Sequence, residues 1–543
     1  MKELLLMKMK KTLLSSAIVA GLGSPMLASA INTSTDGVGE ALLYPYYSAM
    51  NGNVTFITVT NTTNEAKAVK VRFREGVGSR DVMDFTVYLS HHDHWSAIVY
   101  REGNAVRIST NDSSCTVPDV AAAKPAFSAT RIPNEYEGDS VPNRLSEGHI
   151  EILEMAELPN TGNDDVRDAI THDPDNDVPV DCDLVRNWTA AVALQPFGDG
   201  SSIAVTETSL SDGAAVNPII QDMANPTGGL YGHAAVYNPA DGTYFTYQAT
   251  ALRGWAEAPL WFPQNDTGLT ELTPYTTDDG LAFDEGEEGL GLVEYFDLPD
   301  LSTPAALVGD GVQTYTGSQF VNGTAVGTVS EAFTGDISAP AEDVLGSAAA
   351  AAKRDATTFA LMRAGLSNDY ITGTDFETEW VVTFPTRYLH VDPDVDPDVV
   401  AALPPFTADE DLVTGEACET VGFNYWNREE HEPSTPGSID FSPGGTERSA
   451  FQLCYEVNVM AFNQSDTGDS AVLKSSSVAK YVGLDSGFNS ANGWGRLDFS
   501  AYTLGTASGL PLAGFAAISN TGDTVPRGAT FSHHLMDAVV VAP

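Results

Sequence analysis

Val54-Thr-Phe-Ile-Thr-Val-Thr60 and Lys67-Ala-Val-Lys-Val-Arg-Phe-Arg74 decide the fold class of this chain. Both segments alternate, and Val69, Val71 and Phe73 share one face of the second, as in a strand with two unlike sides. Asn61-Thr-Thr-Asn64 separates them with residues that favour turns. Val82 to Leu89, Trp95 to Tyr100 and Ala105 to Ser109 continue the series, and Glu147 to Met155 reads as another strand. Further strand patterns run from Trp188 to Leu194, Ser202 to Thr206, His233 to Tyr237, Tyr244 to Ala249, Trp380 to Phe384, Phe451 to Phe462 and Gly495 to Leu504. Short strands with turns between them indicate a mainly β protein built of antiparallel β-sandwich modules.

Between the strands lie long acidic loops, notably Gly162 to Asp183. Residues 262–345 are rich in Gly, Asp, Thr and Pro and read as long loops with a hinge. One helix stands out near 341–366. Ala341-Glu-Asp343 opens it, Ala348 to Ala352 favours it, and Phe359, Leu361 and Met362 give it an apolar face. The expected organisation is a leader over 1–30, a sandwich-like region over 31–300 and a second β-rich region over 301–543.

The leader reading rests on order. Lys2, Lys8, Lys10 and Lys11 precede an apolar run from Leu13 to Leu22, and Pro25 and Ala28-Ser-Ala30 follow it. That is the arrangement of an export signal cleaved after a small residue, so the mature chain should begin near Ile31 and be exported, to the cell surface, the medium or the periplasm. No later stretch has the apolar length of a membrane-spanning helix. The 543 residues carry a net charge of −47. So negative a surface repels phosphate backbones and anionic lipid, which argues against nucleic acid as a partner. It suits a saline medium or cation binding. The four cysteines, Cys115, Cys182, Cys418 and Cys454, fit disulfides in an exported chain. Proximity favours Cys115 with Cys182 and Cys418 with Cys454, although three pairings exist.

Two acidic stretches are candidate calcium sites. In Asp173-Pro-Asp175-Asn-Asp177-Val-Pro-Val-Asp181, followed by Asp183, carboxylates recur at alternate positions, as a hard cation requires. Val178 stands where such loops use glycine, so a solvated acidic turn is the alternative. The second stretch is His390-Val-Asp392-Pro-Asp394-Val-Asp396-Pro-Asp398, which also reads as an acidic, Pro-stiffened linker. His91-His-Asp-His94, with His533 or His534, offers imidazoles for a transition metal; its plainer reading is a polar turn. No G-x-S-x-G, H-E-x-x-H or phosphate-binding loop is present: Gly483-Leu-Asp-Ser-Gly487 misplaces the serine. Glu147, Glu151 and Glu154 are candidates for an acid pair, with solvent-facing strand positions as the default. Leu158-Pro-Asn-Thr-Gly162 spells a sortase-type motif in mid-chain and reads as a turn.

Some segments carry a resemblance. Ala41-Leu-Leu-Tyr-Pro-Tyr-Tyr47, Asp84 to Ser90, Pro226 to Gly232, Asn368-Asp-Tyr370 with Trp380 to Thr386, and Gly509 to Phe515 are similar to a group of secreted proteobacterial proteins described only as exported or cell-surface proteins. The resemblance spans most of the chain and implies location, with no catalytic residues to carry over. The function expected is that of an exported, non-enzymatic surface or extracellular structural or adhesion protein. It would be stabilised by calcium and would assemble with itself or with other surface components. The alternatives are a polysaccharide-binding module, with Tyr44, Tyr46, Tyr47, Trp255, Trp261 and Phe262 as candidate sugar contacts, or a secreted hydrolase with a fold-assembled carboxylate or metal site.

Overall fold

A computed structural model describes residues 30–130, 140–158, 164–186, 223–256, 299–303, 311–321, 324–335, 348–373, 375–392, 399–411, 414–430, 451–464, 468–484, 491–520 and 527–540. It also describes the single positions 132, 260, 264 and 522. The leader, the strands expected at Trp188 to Leu194 and Ser202 to Thr206, and the 341–347 start of the expected helix lie outside these residues.

Two β-sandwiches make up the described chain. The first pairs a nine-stranded with a five-stranded sheet. The larger runs in space through Thr324–Gly335, Gly311–Val321, Ala30–Thr33, Thr250–Arg253, Ala41–Ser48, Glu147–Leu158, Ala66–Glu75, Asp81–Leu89 and Cys115–Val117. The smaller runs through Thr243–Gln248, Leu230–Asn238, Val54–Asn61, His94–Glu102 and Ala105–Ser109. Alternation does what the sequence implies: Ile57 and Val59 from one sheet meet Val69, Val71 and Phe73 from the other in one core. The second sandwich has a six-stranded sheet containing Glu419–Asn427, Asn492–Asp498 and Met362–Ile371, and a five-stranded sheet containing Val457–Phe462, Phe376–Thr383, Ala513–Asn520 and Arg527–Ser532. Leu366, Trp380, Phe462 and Leu497 fill the space between them.

Residues 311–335, read from composition as loop, form a hairpin in the nine-stranded sheet. Their glycines and threonines mask an alternation that only pairing makes visible. The hairpin hydrogen-bonds to Ala30–Thr33, so one sheet draws strands from both sides of residue 301. The helix spans Ala348–Leu361, and the strand Met362–Ile371 follows without a break. The expected continuation to 366 fails because Gly365 is paired on both sides, to Asp498 and to Met536; tertiary pairing overrides helix propensity there. A Cβ at Gly365 would lie 2.4 Å from the Leu497 carbonyl oxygen, so the position needs glycine.

The sandwiches share one core. Val381, Val459 and Phe515 of the second join Leu42, Val59 and Val71 of the first, and Phe515 stacks on Tyr247 with ring centroids 4.6 Å apart. Buried glutamates tie the seam. The Glu147 carboxylate accepts from the Tyr46 hydroxyl at 2.7 Å and from the backbone N–H groups of Ser476 and Ser477 at 3.1 and 3.0 Å. Glu379 accepts from the N–H groups of Val472 and Leu473, and the carbonyl of Leu473 in turn accepts from Asn53 Nδ2 at 2.7 Å. Removing one donor from such a buried carboxylate exposes its desolvation penalty. Tyr46→Phe should therefore lower the unfolding free energy by about 2 kcal/mol in urea titrations; an unchanged midpoint would show that Glu147 does not need this donor.

Disulfides join Cys115 to Cys182 and Cys418 to Cys454, the pairing proximity favoured. The closed loops span 67 and 36 residues, for which chain entropy gives about 4 kcal/mol each. Among the described residues no helix is long and apolar enough to cross a membrane.

Candidate functional site

In the first acidic stretch three carboxylates, of Asp173, Asp181 and Asp183, make local bonds. Asp173 sits on a two-residue ladder, His172–Asp173 against Val178–Pro179. Its side chain accepts from the Asp175 N–H at 2.9 Å, and its carbonyl from the Asp177 N–H at 2.8 Å. Asp177 occupies the left-handed region at φ +58°, the conformation for which ion loops use glycine. Asp181 accepts from the Asp183 N–H, and Asp183 pairs with Arg186. Asp392 lies on the strand Val391–Asp392, while Asp394, Asp396 and Asp398 lie outside the described residues. Among the described residues no three His, Cys, Asp or Glu side chains are grouped to hold a metal ion.

His91 to Asp93 form the turn that leads into the strand His94–Glu102. His92 bonds Asn64, His94 bonds Thr60, and Asp93 accepts from the Ser90 N–H. His533 is in the second sandwich, buried beside Trp380 and bonded to the Val381 carbonyl. The histidines named for a metal are therefore not brought together.

The three strand glutamates do not face solvent. Glu147, Glu151 and Glu154 are fully buried, because a second layer covers the outer side of their sheet. Burial pushes the Glu154 carboxyl up to about 7 although Lys67 Nζ lies 2.6 Å away. Burial would raise Glu151 too, but Arg74, at 3.2 Å, holds it down to about 2. The Tyr388 hydroxyl also donates to Glu151, and the Arg74 guanidinium covers the Tyr388 ring at 3.8 Å. Among the described residues these three carboxylates are enclosed by protein atoms.

The nominated aromatics divide similarly. Tyr44, Tyr46, Tyr47 and Trp255 are core residues; Trp261 and Phe262 lie outside the described residues. Other aromatics face solvent on the five-stranded sheet of the first sandwich. Along Leu230–Asn238 and Thr243–Gln248, Ala234, Val236, Phe245 and Tyr247 point inward and are buried. The opposite parity points out, and the register lines it up. Tyr237 stands opposite Tyr244, Ala235 stands between Thr246 and Phe56, and Phe56 stands opposite Ile98. Phe56 and Ile98 are each 38% exposed, Tyr237 39% and Tyr244 50%, and the two tyrosine rings meet edge to face at 6.0 Å. At about 4.8 Å per strand the five strands present a face about 19 Å wide.

One side of this face becomes a cleft. Thr243–Gln248 abuts Arg527–Ser532 of the second sandwich. The crossing is close because residue 528 is glycine, where a Cβ would lie 2.5 Å from the Phe245 ring. The cleft encloses about 480 Å³, floored by Phe56, His233, Thr246 and Gln248 and walled by Thr530 and Ser532. Rings beside neutral donors and acceptors can hold a ligand with alternating C–H and hydroxyl surface. Sequence reading placed strands at His233 to Tyr237 and Tyr244 to Ala249 but singled out none of these residues. The signal was the polar company of Tyr244: Thr246 and Gln248 share its parity, while Phe245 and Tyr247 share the other. No protein-family model matches the chain, and neither the curated proteins nor the solved structures contain a match to it.

Proposed function

We propose that this protein is exported and acts, without catalysis, as a surface or extracellular binding protein whose ligand is a polysaccharide. The observation that carries this reading is the solvent-facing row of Tyr244, Tyr237, Phe56 and Ile98 beside a cleft lined with neutral polar groups. Sugar rings stack their C–H faces on aromatic side chains, and their hydroxyls match His233, Thr246, Gln248, Thr530 and Ser532. The net charge of −47 disfavours a polyanion, so the polymer is neutral. The pairing of all four cysteines supports an oxidising location. Calcium enters this reading as a stabiliser of the Asp173 and Asp392 segments, and assembly with other surface components follows from a shared polymer.

The test is depletion of residues 31–543 from solution by insoluble neutral polysaccharides, in calcium and in chelator. The wild type should be retained on at least one polymer. The double variant Y237A/Y244A should lose about tenfold or more in affinity, as removal of exposed aromatic anchors does, with only a modest fall in the urea midpoint, set by the lost cross-strand ring pair. No retention across a panel of neutral polymers would overturn the proposal. Equal retention with and without calcium would remove the ion from it.

A further inference from the structure

A second aromatic platform lies on the other sandwich. Trp426 and Trp494 stand directly opposite each other on Glu419–Asn427 and Asn492–Asp498. Their rings stack with centroids 4.2 Å apart and planes 17° from parallel, and Trp494 is 41% exposed. The stack stands on the outer side of the six-stranded sheet; the inner side packs Tyr425 and Leu497 into the core. Gly493 and Gly495 flank Trp494. A Cβ at Gly493 would fall 1.9 Å from the Trp426 carbonyl oxygen, so glycine lets the strands draw close beneath the ring.

Polar groups surround the stack. Asp369 pairs across from Trp494, and the next row holds Asn424, Arg496 and Ser367. Arg496 Nε is shielded from water and has no hydrogen-bond partner, while its terminal nitrogen stays 3.8 Å from Asp498, beyond hydrogen-bond reach. The Arg496 side chain is itself 42% exposed and lies on the same outward face as the indole, so its terminal nitrogens can donate to a ligand resting there. The patch is too small for a stable interface with a second copy. Two partly exposed indoles, each about 250 Å² at most, fall well short of the roughly 800 Å² that a partner contributes to such an interface.

We infer that Trp494, with Trp426 and Arg496, forms a second polysaccharide-binding face, and that the protein is a cross-linker holding two polymer segments at once. This rests on the polysaccharide reading above. Although Arg363 and Met362 of the six-stranded sheet bond to Thr33 and Gln319, most of the contact with the first sandwich is made by the five-stranded sheet of the second, through Ala513–Asn520 and Arg527–Ser532. Trp494 is carried by the other sheet, so one sugar ring cannot reach both faces. Two linked sites raise the overall affinity for a long polymer and join separate chains.

The experiment mixes the full chain with a soluble form of a neutral polysaccharide that retains it and follows light scattering as protein is added. The wild type should raise scattering to a maximum and then lower it as excess protein saturates single sites. W494A and R496Q should each still be retained by the polymer through the first face but lose the scattering rise. W494Y, which keeps a ring, should restore part of it, and so separates recognition from folding. Y237A/Y244A should also bind without cross-linking. Retention of the wild type with no scattering rise, or undiminished scattering by W494A, would overturn the cross-linking inference and leave the first face standing. A W494A effect on the oligomeric state of the protein alone would overturn it in favour of a self-interface. No retention of the wild type on any polymer would overturn both proposals.

Discussion

Replacing Glu154 by glutamine flattens the pH dependence of stability: between pH 5 and pH 8 the E154Q protein loses roughly 2–3 kcal/mol less than the wild type. The cause is burial. Glu154 is fully enclosed, and its carboxyl titrates at about 7 in the fold against 4.5 in an ordinary setting. The folded protein therefore holds a proton that the unfolded chain has released. Its stabilising effect is complete below pH 4.5 and is lost as pH rises towards and through 7. The gap between the two values corresponds to about 3 kcal/mol once both states are ionised. Lys67, at 2.6 Å, recovers part of the penalty but not all of it.

Other groups shape the wild-type curve. Burial raises Glu147, Glu379 and Glu456 as well, so they add to the same falling limb. His533 and His390 work in the opposite direction. Burial lowers both, His533 to about 4, so their contribution is present above about 6.5 and is lost as pH falls towards 4. The two windows overlap between about 4.5 and 6.5, where the opposing slopes partly cancel, and E154Q should remove only its own share of the falling slope. Urea unfolding at half-unit pH steps reads this directly. Parallel wild-type and E154Q curves above pH 5 would show that Glu154 is ionised in the fold throughout.

Which parts of this molecule were legible before its structure depended on what covers each face. Val69, Val71 and Phe73 announced a core face, and the core is there. The other face of that strand carries Lys70, Arg72 and Arg74, and charge at alternate positions reads as solvent. In the structure Arg72 pairs with Asp81 at 2.5 Å and donates to the Pro299 carbonyl, and Arg74 lies under Tyr388. Strand periodicity separates two faces but does not say that residues more than 200 positions away will roof the polar one. The aromatics failed for a related reason. Tyr44, Tyr46 and Tyr47 are conspicuous because they crowd together, and crowding is what a core strand needs. Tyr237, Tyr244 and Trp494 are scattered singly in sequence, and only register gathers Tyr237 with Tyr244 and Trp426 with Trp494. The hairpin at 311–335 was hidden by composition, and its place in the sheet depends on four residues at the other end of the chain.

Those four residues give the second large effect. Ala30–Thr33 lies between two parts of the nine-stranded sheet. It runs parallel to Gly311–Val321, matching Ala30 with Thr316, Ile31 with Gly317 and Asn32 with Ser318. On its other side it runs antiparallel to Thr250–Arg253, matching Asn32 with Arg253 and Thr33 with Leu252. Among the described strands nothing else joins the hairpin to the rest of the sheet. Ile31 is 1% exposed, so burying its side chain is worth roughly 2–3 kcal/mol, and the ladder bonds add about 1 kcal/mol each. A chain beginning at Ser34 should lose on the order of 5 kcal/mol from the stability of this region relative to one beginning at Ala30. The helix Ala348–Leu361 should survive, because Lys353 rests on the Trp255 ring at 3.9 Å and Thr357 bonds the Leu301 carbonyl. Loss should therefore concentrate in the hairpin. Hydrogen exchange at Gly311–Val321 should accelerate about a thousandfold or more, while exchange in the strands around Trp380 and Val459 changes little. A synthetic peptide covering Ala30 to Asp36 should slow the hairpin again when added in excess, because the gap it leaves is a strand-shaped one flanked by two unsatisfied ladders. Exchange in the hairpin that is the same with and without the first strand would mean that helix packing alone holds it, and that the four residues are a passenger in the sheet.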